Sequence, residues 1–339
     1  RRGWETLNEI PDSAMLARLR RWLVTGVLAL ALAWWLASGE AALSAGWRVG
    51  VLVLILAPHA PVLALEFLLL GRFGSADPGE RPALGRCVRA WAGEVAWGWL
   101  TFGWRQPFRS ASEPDYLPVP DAGRTGVVLV HGFVCNRGLW LPWMRRLRAL
   151  GVPFVAVNLE PVFGSIDDYV PQIDAAVACL QQHTGRAPLI VAHSMGGLAT
   201  RAWLRDAADA DARCAGVVTI ASPHHGTWLA RFAVTPNGRQ MRIGSEWLRA
   251  LAQHEPPARR SRFTGFWGHC DNIVFPAATA MLDQADNRHL PGVAHVHMVA
   301  QWLLLAALVL ALRPGGGWRR SAGWVGLVVL TSLINPYLL

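Results

Sequence analysis

The stretch Pro188–Gly197, P-L-I-V-A-H-S-M-G-G, limits what this chain can fold into more than any other. An apolar run leads straight into Ser194, and Gly196 and Gly197 open a helical pattern, so a strand must hand over to a helix through one tight turn. Ala192-His193-Ser194-Met195-Gly196 puts a small residue two positions before the serine and another two positions after it. That spacing lets strand and helix approach closely and strains the serine backbone, which lifts the hydroxyl clear of the sheet. It is the nucleophile-elbow arrangement, with Ala192 in place of the first glycine.

Around this turn, residues 125–297 alternate short apolar strands with helical stretches, the signature of a mostly parallel sheet with helices on both faces. The pattern predicts strands at Gly126–Val130, Pro153–Asn158, Pro188–Ala192, Gly216–Ala221 and Arg262–Gly268, with a weaker one near His289–Val293. It predicts helices at Leu139–Leu150, Asp168–His183, Met195–Ala208 and Glu246–Gln253.

The chain as a whole is too apolar for an ordinary soluble enzyme: hydrophobic residues make up 53% of the 339 and charged residues only 16%. After a polar segment, 1–21, that ends in Arg18, Arg20 and Arg21, the run Trp22–Ser38 carries no charge, and Val49–Gly71 is a longer run broken by Pro58, His59, Pro61 and Glu66. Together they predict a transmembrane hairpin over 22–71, with the prolines kinking its second arm and His59 and Glu66 facing a partner helix. A signal peptide is the rival reading of the first run. Arginines precede the first run and follow the second, so both ends of the hairpin are expected on the cytoplasmic side of a bacterial-type inner membrane, in a multi-pass protein with a cytoplasmic catalytic domain. Residues 72–124 read as a connector with an interfacial helix around Cys87–Thr101. Residues 298–339 hold two more apolar runs, whose intervening Arg313, Arg319 and Arg320 conflict with that orientation if the tail is a second hairpin. The chain opens at Arg1 rather than methionine, as a fragment or processed product would.

The net charge of +9 is carried by scattered arginines with no lysine, which argues against a nucleic-acid partner. Cys87, Cys135, Cys179, Cys214 and Cys270 form neither a disulfide framework nor a zinc pattern.

A serine nucleophile needs a base, an acid to orient the base, and donors for the developing oxyanion. Asp271 follows the predicted strand Arg262–Gly268, and His295 follows the Pro291-Gly292 turn, giving the chain order serine, acid, histidine. Asp283 and Asp286 compete for the acid, and His297 competes for the base. His254, His269 and His289 read as surface or structural, and His193 as a packing and hydrogen-bonding neighbour. Backbone N–H groups of Met195 and of Phe133, in the loop Val130-His131-Gly132-Phe133-Val134, complete the set. Such donors are worth ~3–4 kcal/mol of barrier each.

With H-G-F after the first strand, A-H-S-M-G-G at the elbow, A-S-P-H-H-G-T at Ala221–Thr227 and D-N-I-V-F-P before the final histidine, residues 125–297 resemble the α/β-hydrolase superfamily, within it the lipase and esterase group. The alanine of the elbow is similar to that of Bacillus-type secreted lipases. The resemblance implies an α/β-hydrolase fold, a Ser194–Asp271–His295 triad, Phe133 and Met195 as oxyanion donors, and His131, Gly132, Ala192, His193 and Gly196 as supports. It places His224 and His225 near the site without a catalytic role. It further implies hydrolysis of apolar acyl esters or lipids through an acyl-enzyme, with neither metal nor organic cofactor. An acyltransferase or thioesterase of the same fold is the alternative within catalysis, and a non-catalytic membrane scaffold the alternative outside it.

Overall fold

In the computed structural model, residues 11–40, 43–74, 82–118 and 124–301 are described. The expected tail helices beyond residue 301 lie outside them.

Six parallel strands form one sheet in the order β2-β1-β3-β4-β5-β6. They are β1 (Val127–Val130), β2 (Phe154–Ala156), β3 (Leu189–His193), β4 (Gly216–Ile220), β5 (Phe263–Trp267) and β6 (Asp286–His289). Successive side chains of a strand point to opposite faces, and a sheet covered on both faces needs apolar residues at both parities. In β1, Val128 and Val130 pack into one core with Ile173, Leu180 and Leu198, while Val127 and Leu129 pack into the other with Trp140, Met144 and Leu147. The last strand differs from its prediction. It runs over the polar Asp286–His289 rather than His289–Val293, because an edge strand buries little and carries no apolar run to betray it.

The chain leaves β1 for β2 on one side, then crosses back to β3 and continues to β4 on the other. The carboxyl ends of β1 and β3, in register from Val127↔Leu189 to Val130↔Ala192, therefore flank a topological switch point, where connecting loops diverge and leave a crevice.

The helices before the sheet are α1 (Pro11–Glu40), α2 (Ala45–Leu56), α3 (His59–Phe73) and α4 (Leu84–Gly98). Within α1, Met15–Gly39 is long and apolar enough to cross a bilayer, with mean hydropathy 1.6. By these measures it suits a membrane anchor or a signal sequence alike. The expected second arm of the hairpin is not one straight span: α2 and α3 meet at a 74° bend. Pro58 has no N–H to continue α2, so carbonyls at the break need other donors. The indole N–H groups of Trp99 and Trp91 donate to Leu56 O and Ala60 O.

The region expected as a connector holds α4, which runs on as a π-helical segment, Trp99–Arg105. Its Gly103 lets the Trp99 ring lie against the backbone, where an added Cβ would come within 2.1 Å of that ring. After the first strand come α5 (Leu141–Ala149), α6 (Val170–Thr184), α7 (Met195–Asp206) and α8 (Glu246–Gln253).

Candidate active site

Ser194 stands between β3 and α7 with φ 54° and ψ −129°, a conformation that L-residues rarely adopt. Close packing on all sides holds it there. A Cβ on Gly196 would lie 2.6 Å from His131 O and 2.7 Å from Val130 O, and one on Gly197 would lie 2.3 Å from Ser222 Oγ. The Ser194 N–H donates to Ile220 O at 2.9 Å, which ties the elbow to the end of β4. Ser194 also caps α7, so the positive end of the helix dipole lies where negative charge on a substrate oxygen would form.

The loop after β1 meets the elbow from the other side of the crevice. A Cβ on Gly132 would fall 2.8 Å from Ser194 Cβ, so only glycine permits this approach. His131 fixes the loop: its Nε2 accepts the Leu159 N–H at 3.0 Å, which leaves Nδ1 to donate to Gly132 O at 2.9 Å. Burial pushes its pKa down to about 4, so it is a neutral strut. Phe133 is half-buried with its ring edge-on to Phe163. Val134 has φ 49°, an outlier for a β-branched residue, and its carbonyl accepts from the Arg20 guanidinium of α1.

Asp271 and His295 are brought together. His295 Nδ1 lies 3.0 Å from both carboxylate oxygens, and both side chains are buried. Asp271 Oδ1 also accepts the N–H groups of Ile273 and Val274, which fixes the carboxylate before the histidine arrives. His193 lies under the His295 ring at 4.7 Å, and its Nε2 donates to His295 O at 3.2 Å. Burial, reinforced by the neighbouring His295, holds its pKa well below that of a free imidazole, so His193 is neutral. Ser194 is thus one residue from the imidazole that supports His295. Ser194 Oγ makes no hydrogen bond among the described residues, a looseness common in unliganded sites.

The competitors stand elsewhere. Asp283 and Asp286 are exposed, the latter paired with Arg288. His297 stacks on Trp97 at 5.9 Å. His269 and His289 hydrogen-bond to each other at the sheet edge, and His254 bonds the carbonyl of its own helix. His224 is buried below the elbow, with Nε2 on Thr219 Oγ1 and its carbonyl held by Arg201, which also forms a fully buried bidentate pair with Glu255.

Sequence reasoning missed a second layer of support from the N-terminal helices. Glu94 of α4 is fully buried and accepts the Val296 N–H at 2.8 Å and the His297 N–H at 2.9 Å, the two amides after His295. Glu66 of α3 accepts from Asn272 Nδ2 at 2.6 Å, and Asn272 Oδ1 accepts the His295 N–H. The available signal was Glu94 itself, the single carboxylate of α4, set among apolar and small residues in its second half. Burial pushes its pKa up to about 7, against the pull of those two amides. For His295, burial acts to lower the pKa, but Asp271, Glu94 and Glu66 outweigh it and leave the imidazole above its ordinary value.

Among solved structures, the chain is similar to a Bacillus licheniformis lipase in mature form, at 18% identity and TM-score 0.50 over 58% of this chain and 96% of that one. It is also similar to Aspergillus fumigatus lipase B, at 22% identity and TM-score 0.53 over 60% of this chain and 56% of that one. At such identities the likeness is one of fold. No curated protein sequence matches significantly. A family model described as the alpha/beta hydrolase family covers residues 127–338, more than half of the chain, and by that match and the six-stranded parallel sheet the chain belongs to the alpha/beta hydrolase family.

Proposed function

We propose that the protein is a membrane-associated serine hydrolase that cleaves carboxylic esters with apolar acyl chains. Family membership supports hydrolysis. The observation that carries the finer reading is the three-centre contact of His295 Nδ1 with both Asp271 oxygens, beside a strained serine at the amino end of α7. In this mechanism Asp271 holds the Nδ1–H tautomer of His295, so Nε2 is the base. Ser194 Oγ attacks the ester carbonyl as its proton passes to His295 Nε2. The Phe133 and Met195 amides stabilise the oxyanion, and the proton then goes to the departing alcohol. Water, activated by the same imidazole, releases the acid and restores Ser194.

The same proposal includes the membrane. Arg20 and Arg21, directly before the uncharged run of α1, donate to Val134 O and Pro107 O, so the catalytic domain is attached at the arginine-rich end of that run. By the positive-inside rule that end is cytoplasmic, in an inner membrane of bacterial type.

A fluorophosphonate that does not cross membranes should form a covalent adduct on Ser194 in inverted vesicles and none in intact cells, read by peptide mass spectrometry. A wild-type level of adduct in Ser194→Ala would remove the nucleophile from the proposal.

The pH profile gives a separate check. His295 must be neutral to act as base, so kcat/KM should rise with pH through a value above the ordinary histidine range. Glu94→Gln removes a negative charge beside His295. The acid limb should therefore move to lower pH and simplify toward a single ionisation. An unmoved limb would leave Glu94 with only a structural role.

A further inference from the structure

A cavity of about 510 Å³ separates the amino end of α1 from α3, α4 and the loop after β1, and the mechanism above does not use it. Its size falls within the 300–1,000 Å³ typical of small-molecule sites. Its sides are apolar: Val24 and Val27 of α1, Val62 and Leu63 of α3, and Trp99 and Phe102 beyond α4.

Three of its residues lead directly to the reacting groups. Val134 is next in sequence to the oxyanion residue Phe133. Glu94 holds the two amides that follow His295, and Glu66 reaches the His295 amide through Asn272. Polar groups along the wall are already engaged within the protein: both Glu94 oxygens by backbone amides, His59 Nε2 by Val95 O at 3.0 Å, and the Arg20 guanidinium by Val134 O. Apart from Arg20 Nε, which is buried without a partner among the described residues, what is left to greet a ligand is hydrocarbon. On the outer side, Leu23 of α1 is 60% exposed and Val62 of α3 is 56% exposed, and α1 is the single straight helix among the described residues long and apolar enough to cross a bilayer. Apolar side chains left open there match lipid rather than water.

We propose that this cavity receives the acyl chain of a bilayer-resident ester, which enters sideways between α1 and α3 while its carbonyl reaches Ser194. The inference rests on the serine-hydrolase reading and adds to it a binding site and a route for the acyl chain.

The test uses the full chain in phosphatidylcholine vesicles and a hexadecyl fluorophosphonate with a diazirine at the chain terminus. After Ser194 is labelled and the sample irradiated, cross-links are expected in peptides covering 16–27 and 58–66. Val27→Trp and Leu63→Trp should each lower the ratio of kcat/KM for hexadecanoyl over butanoyl esters at least about tenfold. Leu30→Trp, exposed on α1 away from the cavity, should leave the ratio unchanged. A Ser194 adduct whose cross-links fall only outside those peptides, or a ratio unmoved by both cavity variants, overturns the acyl route and leaves the hydrolase standing. Absence of any Ser194 adduct on the folded wild-type protein takes the hydrolase reading, and this inference with it.

Discussion

Asp271→Asn is expected to lower kcat for ester hydrolysis about 10,000-fold with little effect on the fold. The asparagine Oδ1 can keep the Ile273 and Val274 amides that Asp271 Oδ1 now accepts. Its Nδ2, however, would present a donor to His295 Nδ1. The imidazole would then carry its proton on Nε2, facing Ser194, and could not take another. Steady-state kinetics with a soluble butanoyl ester, together with circular dichroism of the same preparation, checks both halves. Near-wild-type turnover would mean that Asp271 does not orient the base.

The second large effect is on stability. Glu255→Ala leaves Arg201, 1% exposed, as a buried charge without its carboxylate. Removal of one partner from a buried ion pair costs about 3–5 kcal/mol, because the remaining charge keeps its desolvation penalty and loses its counter-charge. The thermal midpoint in detergent should fall on the order of 10 °C. Arg201 also holds His224 O, so the turn Ser222–Thr227 should loosen at the same time, and protease cleavage there should quicken. A double change, Arg201→Met with Glu255→Leu, removes both charges and should recover much of the loss. If Glu255→Ala unfolds no earlier than wild type, the pair is solvated in solution.

The elbow and its partners were legible because their constraints are local. A serine between two small residues at a strand–helix junction has few other uses, and Asp271 and His295 each follow a recognisable strand or turn. Strand β6 was misplaced because Asp286–His289 has the polarity of a loop, and its pairing with β5 is a long-range fact. The contribution of α3 and α4 was hidden for a related reason. Glu66 and Glu94 are each the single carboxylate of their helix, and nothing near them in sequence announces Asn272 or the amides of Val296 and His297. Pro58 marked the kink in the second apolar run, but nothing in that run announced its 74° size or the indoles of Trp91 and Trp99, more than thirty residues further along the chain, that bond carbonyls beside it.

The helices before the sheet grip the α/β domain at separate points: Arg20 on the loop after β1, Phe73 stacked on Trp228 at 4.0 Å, and Glu94 on the amides after His295. A domain hung from a membrane on a flexible leash can swivel and must search for its target with every approach. One clamped at three separated places has lost that rotational freedom. Under the proposed membrane anchoring its crevice would keep a constant bearing to the bilayer, and the search for substrate would become lateral diffusion in two dimensions rather than reorientation in three.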